Sequence, residues 1–210
     1  VLGFSQLLMA EDLPPEIQAD IQRIHSGARR ATKIVQGLLS LATKHEYRLQ
    51  YLDVTQVLER ALEIKSYDLN TNNIRLTTEL SPDLPRTRLD EHQLIQVVVN
   101  LLTNAEQAIR ASDREGQLLV RAASSETKIK ISICDNRPGI LPEHIDRIFE
   151  PFFTTKEVGE GTGLGLSICY GIIRQHDGDL WAESVPGEGA TFHIELPIVS
   201  PEGGGDLEPP

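Results

Sequence analysis

Apolar side chains at Val1, Phe4, Leu7 and Leu8 recur at helical steps, and the run Glu11-Asp12-Leu13-Pro14-Pro15 breaks that helix and restarts another. From Glu16 to about His45 the set Ile17, Ile21, Ile24, Ala28, Ala31, Ile34, Val35, Leu38, Leu41 and Ala42 continues at three- and four-residue steps with charges between. This spacing predicts one long amphipathic helix of roughly 45 Å. A long and a short helix cannot bury such a stripe alone, so a second hairpin completing a four-helix bundle is the expected partner; two helices lying on the next domain are the alternative.

Past Tyr47 the pattern becomes mixed. Tyr51–Val54 reads as extended, Thr55–Ile64 as helix, Ile74–Leu80 as an alternating strand and Asp90–Arg110 as helix. Gln117–Ala123 and Lys128–Cys134 read as strands joined by the polar turn Ser124-Ser125-Glu126-Thr127. A Gly/Pro-rich loop leads to a short helix near Pro142–Ile148, then a further loop, a helix over Leu166–His176, and strands over Asp179–Ser184 and Ala190–Leu196. The Gly/Pro-rich acidic tail is too poor in apolar residues to pack and reads as a disordered end or a linker.

Composition narrows the partners. A length of 210 residues with 40% hydrophobic content suits one real core and a small second domain. The formal charge of −11 argues against nucleic acid or an acidic membrane as the main ligand, which would need Lys and Arg against phosphates. Cys134 and Cys169 lack the spacing of a disulfide framework or a zinc site, which suits a reducing, cytoplasmic setting. No run approaches a membrane span, and the opening residues carry no signal-peptide features. The uncapped, mid-helix start suggests a fragment.

Three constellations carry chemistry. Asn100 and Asn104 stack one turn apart on one helix face. Two neutral oxygens facing one place suit Mg²⁺, a hard cation that shares its shell with phosphates and water, although such a pair serves equally as solvated or capping residues. Asp135 closes the apolar strand Ile129-Ile131-Ile133 ahead of a turn at Gly139-Ile140, where a carboxylate can accept from an exocyclic amine such as that of adenine, or simply open the turn. Gly159-Glu-Gly161-Thr162-Gly163-Leu164-Gly165-Leu166 places glycines at every second position into a helix start, whose unpaired N–H groups and positive dipole end form a phosphate cradle. It is neither a Walker loop nor, lacking a preceding strand, a Rossmann turn. Lys156, just upstream, can pair with a terminal phosphate or stand as an exposed loop lysine with no function.

In order and context these pieces resemble the sensor histidine kinases, within the wider ATPase superfamily of gyrase, a heat-shock chaperone and mismatch-repair ATPases. QVVVNLLTNAEQAI resembles the asparagine box, ISICDNRPGI the first glycine box, Phe149-Glu-Pro-Phe-Phe-Thr-Thr-Lys156 the phenylalanine box, and GEGTGLGLSI the second glycine box. The resemblance covers nearly the whole chain to about Pro197. It implies an α+β fold, a two-layer α/β sandwich with a mixed sheet, preceded by an antiparallel helical hairpin that dimerises into a four-helix bundle. The implied divisions are 1–46 (hairpin), 47–198 (ATP-binding domain) and 199–210 (tail or linker).

By the same resemblance Asn104 ligands Mg²⁺, Asn100 sits by the phosphates, Asp135 contacts adenine, and Gly161–Gly165 form part of a mobile lid over ATP. Phe149, Phe152 and Phe153 read as packing. The implied reaction is transfer of the ATP γ-phosphoryl to a histidine on the bundle, for relay to a response-regulator receiver domain. The implied assembly is a homodimer in the cytoplasm, its parent open to membrane tethering.

The match has gaps. The acceptor histidine and its neighbouring acid would lie before Val1, so no autophosphorylation in cis is expected of this chain. His45-Glu46-Tyr47-Arg48 imitates the acceptor box but lacks its proline, and His25, His92 and His176 lack the pattern altogether. Arg137 stands where the family has the first glycine of its DxGxG box, which leaves as the alternative a non-catalytic, nucleotide-binding dimeric regulator. An ATPase clamp of the gyrase type is disfavoured by the hairpin and by Gln96, four residues before Asn100, where no glutamate stands to activate water.

Overall fold

The computed structural model describes residues 1–42, 48–110, 116–136, 138–156 and 161–200, the side chains of 33, 34 and 36–42 excepted. Arg137, Gly159, His45, Glu46, Tyr47 and the tail from 201 lie outside the described residues. The chain divides into two compact units, one of Val1–His45 with Glu150–Ile168 and one of Glu46–Phe149 with Cys169–Pro210. Among the described residues no helix is long and apolar enough to cross a membrane.

The first unit opens with helix α1 (Leu2–Leu8) and the long α2 (Pro15–Ala42). They pack on each other, and a polar pair of buried Ser5 and half-buried His25 anchors the contact. Ser5 Oγ donates to the Leu2 carbonyl at 2.9 Å, so His25 Nδ1, 2.9 Å away, must be the donor in the other bond. Of the apolar set on α2, Ile21 is buried, whereas Ile17, Ile24 and Val35 are exposed. Phe4 on α1 is 75% exposed.

The second unit holds strand β1 (Gln50–Asp53), helix α3 (Val54–Thr71), strands β2 (Ile74–Leu80) and β3 (Arg86–Leu89), helix α4 (Glu91–Arg110), strands β4 (Gly116–Ser124) and β5 (Lys128–Asp135), and the one-turn helix α5 (Pro142–Ile145). Helix α6 (Gly165–Gln175) leads into strands β6 (Asp179–Val185) and β7 (Gly189–Pro197). A five-stranded mixed sheet runs β2-β4-β5-β7-β6, parallel only between β2 and β4, while β1 and β3 form a separate antiparallel pair. Helices α3 and α4 pack together and on the sheet, giving the expected two-layer sandwich. Between the layers lie Val97, Leu101, Leu118, Val120, Ile131 and Ile194, each essentially inaccessible.

Three elements differ from the sequence reading. Helix α3 runs seven residues beyond Ile64, because buried Lys65 and then Leu69 continue its inner face. Lys65 is buried with its ammonium 2.5 Å from Glu106 and 2.7 Å from Asp68, and Leu69 is buried beyond them. Burial alone would lower the Lys65 pKa, but the hydrogen bonds and charges of Asp68 and Glu106 hold it above the ordinary lysine value. Strand β3 was not expected, since only Thr87 and Leu89 of its four residues face inward. Helix α5 stops at Ile145, short of Ile148.

Candidate functional site

Helix α4 carries the asparagine pair, and its start is fixed by a buried network. Asp90 accepts from the Gln93 and Arg48 backbone N–H groups at 3.0 Å, capping the helix. The Asp90 N–H donates to His176 Nε2 at 2.9 Å, so the ring proton sits on Nδ1, which donates to the Ile172 carbonyl at 2.8 Å. His176, unremarkable in the sequence, therefore joins the end of α6 to the beginning of α4. Leu94, Val97, Val98, Leu101, Leu102 and Ala105 bury the inner stripe of α4, and Asn100 and Asn104 stand at its margin, half-buried.

Asp135 ends β5 and is buried. Its Oδ1 lies 3.4 Å from the Ala190 N–H, at the start of β7. The loop that follows is clasped by the β6–β7 turn: the Ile140 N–H donates to Ser184 Oγ at 2.7 Å, Ser184 Oγ donates to the Gly189 carbonyl at 2.7 Å, and the Gly187 N–H donates to the Pro138 carbonyl at 2.6 Å. Gly139 has φ +85°, and a Cβ there would stand 2.6 Å from the Val185 carbonyl oxygen. Gly189, at φ +123°, lies so close to the Asp135 backbone that a Cβ would collide with it. Both positions therefore require glycine. Ser184, Gly187 and Gly189 were missed in the sequence; their signal was only a turn between two strands.

The second glycine-rich segment belongs to the other unit. Gly163 has φ +66°, its carbonyl accepts from the Phe152 N–H at 2.9 Å, and a Cβ would strike the Phe152 backbone. Gly161 lies equally close to the Thr154 hydroxyl, which also accepts from the Lys156 N–H at 3.2 Å. Thr162 Oγ1 lies 3.4 Å from the Leu164 N–H, and Leu164 is buried just before α6 begins. Gly165 faces open space and Leu166 is half-buried, which leaves the first turn of α6 approachable by an anion. Phe152 corrects the packing expectation: it is 59% exposed and holds φ +67°, because its backbone clasps Gly163. Phe149 does pack, with its ring 5.6 Å from that of Tyr170.

The described residues thus bring Asn100, Asn104, Asp135, Gly139 and Ile140 into the α/β unit and Lys156 with Gly161–Leu166 into the other. They contain no cluster of three or more His, Cys, Asp or Glu able to hold a metal alone. Any divalent ion here would take one or two neutral protein oxygens and the rest of its shell from a phosphate ligand and water, the pattern Mg²⁺ accepts.

The family described as histidine kinase-, DNA gyrase B-, and HSP90-like ATPase matches residues 89–200. The sensor histidine kinase ZraS of Escherichia coli (strain K12) is 37% identical over 171 residues, covering 81% of this chain and 36% of that protein. The chain thus spans about a third of the length of such curated relatives. Full-length ShkA in complex with AMPPNP superposes with a TM-score of 0.73 at 26% identity, over 95% of this chain and 43% of that one. Histidine kinase ThkA in complex with response regulator protein TrrA gives 0.73 at 27% identity, over 94% and 56%.

Proposed function

Because the chain belongs to the histidine kinase-, DNA gyrase B- and HSP90-like ATPases, we propose that it is the ATP-binding catalytic core of a sensor histidine kinase, moving the γ-phosphoryl of ATP to a histidine for relay to a response regulator. The observation that carries this reading is Asp135, a buried carboxylate fixed at a strand end beside a loop that only glycine can form, in the same unit as the Asn100–Asn104 face of α4. A carboxylate so held accepts the adenine amine and makes the site selective for that base. The AMPPNP complex of ShkA supports a nucleotide as ligand.

Within this reading Asn104 holds Mg²⁺ and Asn100 orients the phosphates. When bound, Mg²⁺ neutralises charge on the phosphate oxygens. The N–H groups from Gly161 to Leu166, with Lys156, bind the phosphate chain as a helix start binds anions. No side chain need form a covalent intermediate, since in-line phosphoryl transfer is accelerated mainly by positioning and charge stabilisation. The exposed stripe of Phe4, Leu7, Ile17 and Ile24 is covered by a second copy in a four-helix bundle, on which a receiver domain docks. The response-regulator complex of ThkA supports that last step. The chain works at the cytoplasmic side, whether or not its parent is membrane-tethered.

Titration calorimetry with Mg²⁺ and ATP tests the site. Micromolar to sub-millimolar binding by the chain, lost in Asn104→Ala and in Asp135→Ala, is the expected result. Unchanged affinity in both variants would remove the assignment.

A further inference from the structure

Ser184 is half-buried in β6, opposite Ala190 of β7 and one residue pair before the turn that joins the two strands. A serine hydroxyl has one proton to give and two lone pairs with which to accept. The Gly189 carbonyl, 2.7 Å from Ser184 Oγ, can only accept, so the proton goes there. The Ile140 N–H, also at 2.7 Å, can only donate, and takes a lone pair. The direction of both bonds is fixed by what each neighbour can do, and both partners are backbone groups that do not titrate.

Each end of this bridge bears on Asp135. At the Gly189 end the glycine backbone lies against that of Asp135, and the next residue, Ala190, brings its N–H to 3.4 Å from Asp135 Oδ1. At the Ile140 end the loop that leaves Asp135 is drawn onto β6. There Gly139 sits so close that a Cβ would stand 2.6 Å from the Val185 carbonyl oxygen and 3.1 Å from the Ser184 hydroxyl. The Gly187 N–H, 2.6 Å from the Pro138 carbonyl, ties the same two segments a second time. All of these residues belong to one compact unit. A single hydroxyl thus sets the spacing between the strand that steadies the carboxylate and the loop that follows it.

We propose that Ser184 is a positioning residue for base selection: by bridging Ile140 and Gly189 it holds the Asp135 carboxylate and the Gly139-Ile140 loop at the separation that admits the exocyclic amine of adenine. The inference rests on the ATP reading above and adds the source of its selectivity. A base with a carbonyl in place of the amine sets two acceptors against each other with no proton between them. A carboxylate held in place rejects such a base, and one free to swing aside tolerates it.

The test is calorimetry of Mg·ATP and of Mg·ITP, whose base carries that carbonyl, on the whole chain and on Ser184→Ala, Ser184→Thr and Ser184→Cys, each checked by thermal melt. The parent is expected to prefer ATP at least about tenfold. Alanine removes both bonds and leaves the Ile140 N–H unpaired, and is expected to weaken ATP about fivefold and ITP less than about twofold, so that the preference falls. Threonine keeps the hydroxyl and is expected to stay within about twofold of the parent for both nucleotides. Cysteine, similar in size with a weaker donor, should give an intermediate preference, and it answers the same question if the alanine variant does not fold. A preference unchanged in the alanine or cysteine variant, or ATP and ITP weakened by the same factor, would overturn the positioning role while leaving the ATP site intact. A parent that binds both nucleotides equally would overturn the base reading of Asp135, one that binds neither would overturn the nucleotide site, and this inference falls with either.

Discussion

On α4 the residues recurring every three or four positions, Leu94, Val97, Leu101, Ala105 and Ile109, are each buried within the chain, whereas on α2 Ile17, Ile24 and Val35 face outward. Both helices are amphipathic, and both stripes were visible in the sequence. Periodicity therefore reports that a face is to be covered, and by itself says nothing of what covers it. In the α/β unit the cover is the chain's own sheet; in the hairpin the stripe stands exposed, and the proposed dimer would cover it with a second copy. The polar contacts follow the same division. The α/β unit buries Lys65, Glu106, Asp90, His176, Ser132 and His193, and among the described residues of the hairpin only Ser5 is buried and polar.

The sharpest way to break this comparison is to truncate both stripes. Leu101→Ala should cost about 2–5 kcal/mol in urea unfolding, the transfer loss plus a cavity between two fixed layers. Ile24→Ala, measured at concentrations where the chain is monomeric, should stay within about 0.5 kcal/mol, as exposed positions do. Equal losses would mean that the hairpin stripe is covered within the chain after all.

High pH acts next, and on the α/β unit alone. Cys169, pushed up to about 12, contributes stability that is complete below the ordinary thiol value and is lost as pH rises toward the folded one. Lys65, raised by Asp68 and Glu106 against the cost of its burial, contributes in the same direction above the ordinary lysine range. Together they should lower the stability progressively between about pH 9 and pH 12, seen as a falling urea midpoint. Native-state thiol labelling provides a check: Cys134, half-exposed, should react at pH 8 while Cys169 stays protected. Rapid labelling of both would contradict the packing assigned to α6.

The hairpin's own effect is smaller and lies in association. Phe4→Asp or Ile24→Asp should weaken self-association at least about tenfold in sedimentation equilibrium, because a charge on a bundle seam is costly to desolvate. Their effect on the melt of the α/β unit should be negligible. Dimerisation indifferent to both changes would place the partner on another surface.

The same contrast explains what could be read in advance. Helices α2 and α4, strands β2, β4 and β5 and the glycine-rich segments were legible because each is written in neighbouring residues: a period, an alternation, a run of glycines. The second half of α3 was not, since its inner face is carried on by Lys65 before Leu69, and a charged residue reads as exposed until its partner is known. That partner, Glu106, is 41 positions away. Strand β3 hid behind two arginines, which point outward while Thr87 and Leu89 turn in. At the site, the residue types were legible and their supports were not. Asp135 was found as a carboxylate at a strand end, but the N–H beside it comes from Ala190, 55 positions on, and the clasp on its loop from Ser184, Gly187 and Gly189. His176 belongs to the same class: its chemistry is ordinary, and only its location against the start of α4 gives it a role.

The least of the expected effects tests whether the open face of the sheet contributes at all. His193 on β7 is buried beside Ser132, its Nδ1 2.8 Å from Ser132 Oγ, with the Trp181 ring 5.0 Å away and Glu183 3.6 Å from Nε2. Burial, together with the Lys130 ammonium, lowers its pKa below the ordinary histidine value, and the Glu183 carboxylate opposes them without reversing the sign. A lowered pKa means that the fold favours the neutral ring. Its contribution is therefore complete above about pH 6.5 and is lost as pH falls through the folded value. Because Glu183 is exposed and solvent screens its charge, the loss should be small. Urea midpoints at pH 7.5 and pH 5.5 should differ more for the parent than for His193→Gln, in which no ring remains to titrate. If the variant loses as much as the parent over that interval, the acid sensitivity belongs to the carboxylates, and this face of the sheet is only a solvated surface.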